Sequence, residues 1–174
     1  MLDRPLVFLD LETTGATATS DRITEIGLIE VDDGQFTGEW STLVNPQTRI
    51  PPFIESLTGI SNAMVTDAPT FDEIAVALKE RLDGKLLIAH NARFDYGFLK
   101  NEFARLDMRY SSDLLCTVKL SRKLYPGHSK HNLDTLMERH NVQCEARHRA
   151  LGDARVLWDL LQIWRDEHGD AALA

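Results

Sequence analysis

Leu6-Val7-Phe8-Leu9-Asp10-Leu11-Glu12-Thr13-Thr14-Gly15 runs from an apolar strand into two carboxylates and a turn. Side chains on a strand alternate faces, so Asp10 and Glu12 project from the same face at its end. Two neighbouring carboxylates repel each other, and taking them out of water is costly. A divalent cation held by hard oxygen ligands removes that cost. A bare Asp-x-Glu also fits a solvated strand end, so the reading depends on the rest of the chain. His90-Asn91-Ala92-Arg93-Phe94-Asp95 supplies a third carboxylate after a second apolar run. His148-Arg149-Ala150-Leu151-Gly152-Asp153 supplies a histidine and a fourth.

Around these segments the chain alternates element types. Ile23 to Val31 is rich in β-branched residues and reads as a strand; Asp32-Asp33-Gly34 is a turn, and Gln35 to Val44 the return strand. Phe53 to Leu57 reads as a short helix and Ser61 as the N-cap of another. Thr70 and Glu73 form a capping box that opens a helix to Leu82, with Ile74, Ala77, Leu78 and Leu82 as its apolar stripe. Lys85 to Ala89 is a buried strand, and Arg93 to Leu106 a helix with Phe94, Phe98 and Leu99 inward. Leu114-Leu115 is a short strand; Thr117 to Leu124, Leu133 to His140 and Arg149 to Glu167 are helices. Three early strands followed by alternating helix and strand imply an α/β layer fold.

The 174 residues suit one domain with a single sizeable core. Hydrophobic content of 43% and charged content of 26% are those of a soluble globular chain, with no apolar run long enough to span a membrane. Cys116 and Cys144 lack metal-ligand spacing and read as reduced, buried thiols, which points to a cytoplasmic location. A net charge of −8 argues against broad electrostatic coating of nucleic acid. It is compatible with an acidic centre whose bound cations invert the local field. Basic residues cluster locally: Arg122-Lys123 and Lys130-His131 bracket one loop, and Arg147 and Arg149 flank His148.

The three motifs, read in order as DLETTG, HNARFDYGFL and HRALGDA, resemble the DEDDh group of DnaQ-like 3′–5′ exonucleases. They come nearest the proofreading epsilon-subunit type of bacterial DNA polymerase III. The resemblance extends from about Leu6 to about Trp164. It implies the ribonuclease H-like exonuclease fold, a mixed five-stranded sheet with helices on both faces. It also implies hydrolysis at 3′ ends of DNA, with single-stranded or frayed ends preferred and nucleoside 5′-monophosphates released. Asp10, Glu12, Asp95 and Asp153 would be ligands of two Mg2+ or Mn2+ ions, with Asp10 as the bridge. Phosphodiester hydrolysis needs an activated water, a charge sink and help for the leaving oxygen, and two ions about 3.5–4 Å apart supply all three.

His148 is the candidate general base, because an imidazole can take up a proton at neutral pH. On one helix, five residues of separation would put it about 140° from Asp153. His148 is therefore expected on a loop or first turn, with Asp153 on the helix. His90 and Asn91 are expected either to satisfy backbone groups at the strand-to-helix turn or to lie beside the terminal nucleotide. Thr13, Thr14 and Gly15 would offer backbone N–H groups to the 3′ end. Ile50 and Phe94 are candidates for wedging against the last bases, Phe94 being equally placed for the core.

Three rival readings follow from the same residues. Asp10-x-Glu12-x-Thr14 comes near the nucleophile loop of haloacid-dehalogenase-type phosphotransferases, although Glu12 stands where that family needs a second Asp. A non-enzymatic module of the same fold would be expected to have lost motif residues, and all five are present. Some DEDDh relatives process RNA, and the 2′-hydroxyl contact that separates the two substrates is not legible in sequence. The chain reads as a single exonuclease domain over residues 1–174, either stand-alone or excised from a longer protein with a polymerase or repair-nuclease partner or fused module.

Overall fold

The computed structural model describes residues 2–173. Strand β1 (Leu6–Thr13) is the centre of a five-stranded sheet of order β3-β2-β1-β4-β5. β2 (Ile23–Asp32) and β3 (Gln35–Leu43) form an antiparallel meander with it, while β4 (Leu86–Ala89) and β5 (Leu114–Cys116) run parallel. The sheet is mixed because Asp33-Gly34 closes a tight hairpin with positive φ at both residues, whereas β4 and β5 return through helices.

The period-two alternation of β1 divides the core into two layers. Val7, Leu9 and Leu11 face α3 (Phe71–Leu82) and α4 (Ala92–Ala104), packing with Ile74, Leu78, Phe98, Leu99 and Phe103. Leu6 and Phe8 face the other way, with Leu136, Leu157, Leu160 and Trp164. These come from α6 (Leu133–His140) and α7 (Ala150–His168). Asp10 and Glu12 continue the second series, so β1 delivers them to the α7 side. The short helices α1 (Pro52–Thr58) and α2 (Asn62–Val65) follow β3, and α5 (Thr117–Leu124) follows β5.

Local expectations meet the structure closely at helix starts. Ser61 accepts the Met64 N–H, and the Thr70–Glu73 capping box is formed. The stripe of α3 differs in one residue: Ala77 is exposed, and Ala75 and Phe71 are buried beside Ile74, Leu78 and Leu82. Both cysteines are free but only partly buried, Cys116 because it sits at the sheet edge between β5 and α5. His140 is half-buried and accepts the Trp164 indole N–H. Among the described residues no helix is long and apolar enough to cross a membrane.

Candidate active site

Asp10, Glu12 and Asp153 each offer an oxygen, and these atoms lie within 4.8 Å of one another. Two come from the end of β1 and the third from the first turn of α7. Asp95, in the first turn of α4, is buried beside them, outside this three-way group. Its own backbone N–H and that of Leu11 favour the charged form of the Asp95 carboxyl. His148 precedes α7 in a left-handed conformation, φ 68°, and its N–H points at Asp153 Oδ1 at 3.4 Å. The histidine thus lies off the helix that carries Asp153, as five-residue spacing requires.

Gly27 and Glu25 bring α7 close enough. Gly27 pairs with Asp10 in the sheet, and a Cβ there would stand 2.2 Å from the Leu151 nitrogen. Only a glycine lets the helix start rest on the strand backbone. Glu25, opposite Glu12, is buried and accepts the Ala150 N–H at 2.8 Å and the Arg149 guanidinium. Sequence reading passed over Glu25. Its signal was a carboxylate inside the otherwise apolar and β-branched run Ile23-Thr24-Glu25-Ile26.

Burial and mutual repulsion dominate the electrostatics. Burial, then the Asp95, Glu12 and Asp153 carboxylates, hold Asp10 well above the ordinary carboxylate range. Glu12 is pushed up to about 8, by burial first and then by Asp153 and Glu25. Asp95 is raised well above its ordinary value, mainly by burial; burial also raises Asp153, with the Arg147 guanidinium opposing it. Asp10 Oδ2 is buried without a hydrogen-bond partner. Hard oxygen donors, an orphaned buried carboxylate oxygen and carboxyls whose charged form is disfavoured by burial and mutual repulsion are what a divalent cation would resolve. The residues fit such a group.

Other sequence candidates fall differently. Thr14 donates its N–H to the Arg22 carbonyl, and its hydroxyl bonds Asp21 and the Arg22 N–H, so this amide is spent inside the fold. Thr13 is buried with its hydroxyl on the Gly15 carbonyl. A Cβ on Gly15 would meet the Asp21 carboxylate at 2.5 Å, so a larger residue there would have to displace that side chain. Both ring nitrogens of His90 are used, by Thr117 Oγ1 at 2.8 Å and the His131 carbonyl at 2.9 Å, and burial lowers its pKa to about 4. These bonds tie the His90 ring into the fold. Asn91 is exposed with φ 70° at the start of α4, and Phe94 is half-buried against Phe98.

Ile50 corrects the wedge expectation. It is fully buried with Ile60 and Val65, because Asn62 clamps its backbone N–H and carbonyl. The exposed apolar side chains nearby are Phe53 (74%) and Leu57 (51%), four residues apart on α1, with Met64 on α2. Arg147 and Arg149, which flank His148, are paired: Arg147 with Asp134 and Asp153, Arg149 with Glu25.

The profile of the family described as Exonuclease (RNase_T) matches residues 7–161, so the chain belongs to this exonuclease family. It is 39% identical over 155 residues to a PolC-type DNA polymerase III of Caldanaerobacter subterraneus subsp. tengcongensis, covering 89% of this chain and 11% of that one. It is also 39% identical over 152 residues to the 3′-5′ exonuclease DinG of Bacillus subtilis, covering 86% and 16%. The chain therefore spans a sixth or less of either curated relative. A structure of Exonuclease X in complex with 5′ overhanging duplex DNA superposes with a TM-score of 0.78 at 28% identity, over 94% of this chain and 93% of that one. E. coli Exonuclease I in complex with a dA16 oligonucleotide gives a TM-score of 0.85 at 15% identity, over 97% and 42%, a likeness of fold. The fold is the ribonuclease H-like exonuclease fold that the motifs imply, and the family replaces the phosphotransferase alternative.

Proposed function

We propose that this chain is a metal-dependent 3′–5′ exonuclease domain that removes nucleoside 5′-monophosphates from single-stranded or frayed 3′ ends of DNA. The observation that carries this reading is the orphaned Asp10 Oδ2 inside an all-oxygen group with Glu12 and Asp153, with His148 alongside. Two Mg2+ or Mn2+ ions, held by Asp10, Glu12, Asp95 and Asp153, would supply water activation and charge stabilisation when bound. His148 receives the proton of the attacking water at an imidazole nitrogen. Asp10, which feels the Asp95, Glu12 and Asp153 carboxylates together, would be the ligand shared by the two ions. Glu25 and Gly27 hold the start of α7 against β2, which keeps His148 and Asp153 at the strand ends.

Phe53 and Leu57 take the base-stacking role in place of Ile50. Register supports this, since Leu43 pairs with Glu25 and Glu25 with Glu12. The chain therefore leaves β3 for α1 at the same end of the sheet as the site. Phe94 on α4 and Asn91 at its N-cap, which flank Asp95 in sequence, are the further candidates for the terminal nucleotide. Preference for DNA over RNA is supported by the names of the polymerase relatives and by the DNA complex of Exonuclease X. The domain acts alone or joined to polymerase or repair modules, in the cytoplasm.

The test is 3′ end degradation of a labelled DNA with and without chelator. Activity should vanish in chelator, return with Mg2+ or Mn2+, and be absent on a closed single-stranded circle. Undiminished cutting in excess chelator, or rapid cutting of the circle, would sink the reading. A matched RNA strand cut faster than DNA would move the substrate to RNA.

A further inference from the structure

The carboxylates of the site lack positive charge, yet one guanidinium already reaches them. Arg147 Nη1 donates to Asp153 Oδ2 at 2.6 Å, and Arg147 Nε donates to Asp134 Oδ1 at 2.6 Å. The same Nη1 lies 3.5 Å from His148 Nδ1, the outer limit of a hydrogen bond. Arg147 therefore links α6 to the Asp153 corner of the site. The Arg147 side chain is 24% exposed, that of Asp153 6% and that of Asp134 63%. One of its partners is buried and the other faces solvent.

We propose that Arg147 is a resident counter-charge that sets how tightly the site takes divalent cations. This rests on the metal-site reading above. In the metal-free protein the guanidinium neutralises Asp153 and keeps its carboxylate in place. A cation entering the group shared with Asp10 and Glu12 meets a like charge at hydrogen-bond distance from one of its own ligands. Water screens that repulsion only in part, since Asp153 is buried. Asp134 gives Arg147 somewhere to go, because the guanidinium can leave Asp153 without losing its second partner. Its contact with His148 Nδ1 also favours the imidazole tautomer whose other nitrogen carries the proton, which is not the form that accepts one there. Arg147 leaving Asp153 would free ligand and base together.

The experiment is calorimetry with Mn2+ alone, without nucleic acid, on the wild type, Arg147→Gln and Arg147→Lys. Arg147→Gln should bind Mn2+ about tenfold more tightly, a charge-assisted hydrogen bond no longer having to be given up. Arg147→Lys should fall between, keeping the charge but not the fork that reaches both carboxylates. A folded Arg147→Gln protein with unchanged or weaker Mn2+ affinity would overturn the proposal and make Arg147 a brace for Asp153. A second measurement uses the wild type. The arginine Nε–Hε resonance that disappears in Arg147→Lys should shift as Mg2+ is added, and a resonance unmoved at saturation overturns the proposal. Absence of Mn2+ binding to all three proteins would overturn the metal-site reading and this proposal with it; unchanged binding overturns this proposal alone.

Discussion

Glu25 and Arg149, 124 residues apart, are joined by a two-pronged ion pair: Nε and Nη2 of the guanidinium donate to Oε2 at 3.0 and 2.6 Å. The other carboxylate oxygen receives the Ala150 N–H, one of the amides that a helix start leaves unpaired. One side chain on β2 thus fixes where α7 begins, three residues before Asp153. Glu25→Ala is expected to lower unfolding free energy by about 2–3 kcal/mol, less than for a fully buried pair because Arg149 keeps contact with solvent. Glu25→Gln should cost less, since its amide oxygen can still accept the Ala150 N–H. Urea denaturation measures both, and a Glu25→Ala loss under about 0.5 kcal/mol would mean that the helix start is held by packing at Gly27 alone.

Stability of the metal-free protein should depend on pH with a defined sign. Glu12 titrates at about 8 in the folded chain against 4.5 for the free group, so the folded state holds the extra proton. That contribution is full below about 4.5 and is lost as pH rises through about 8. Asp10 and Asp95 are raised in the same direction. His90 acts oppositely: lowered from 6.5 to about 4, it contributes fully above 6.5 and loses that contribution as pH falls to about 4. Above 6.5 His90 is neutral in both states, leaving these carboxylates to set the trend from this site. The melting temperature in chelator should fall from pH 6.5 to about 8, and Mg2+ or Mn2+ should flatten the slope. A melting temperature that rises over that interval in chelator would contradict it.

Removing His148 should separate chemistry from binding. His148→Ala is expected to lose roughly 10²–10⁴-fold in turnover while retaining Mn2+ and oligonucleotide binding. Asp10→Asn should lose metal affinity as well, because it removes charge at the centre of the cluster. Turnover and calcium-supported DNA binding, measured side by side, distinguish the two. Near-normal turnover in His148→Ala would make the histidine a bystander.

The exposed pair on α1 gives a fourth prediction. Phe53 and Leu57 already face solvent, so Phe53→Ala and Leu57→Ala should leave stability within about 0.5 kcal/mol of wild type. If bases stack on them, KM for a single-stranded oligonucleotide should rise by about tenfold, since stacking is worth roughly 1–3 kcal/mol per base. Ile50→Ala should do the reverse, destabilising by about 2–5 kcal/mol through a cavity beside Ile60 and Val65. Unchanged KM in both α1 variants would remove the stacking role.

Strand state supplies a fifth. Opening a terminal pair costs a few kcal/mol, so mismatched 3′ ends should be cut faster than blunt duplex at low temperature. Equal initial rates on the two ends would mean that no fraying step precedes hydrolysis.

Much of this was legible along the chain because the signals are local. Period-two alternation placed Asp10 and Glu12 on one face, the capping residues Ser61 and Thr70 marked helix starts, and five-residue spacing put His148 off the helix of Asp153. The three acidic motifs named the fold, since their order and spacing are chain properties. The tertiary structure alone decided which polar groups were already spent. The Thr14 amide goes to Arg22, the His90 ring to Thr117 and His131, Arg149 to Glu25, and Arg147 to Asp134 and Asp153. It alone decided that Ile50 turns inward while Phe53 and Leu57 turn outward. A residue's type states what it can bind; whether a partner stands within 3 Å is set by packing between segments distant in sequence, and no local pattern carries that distance.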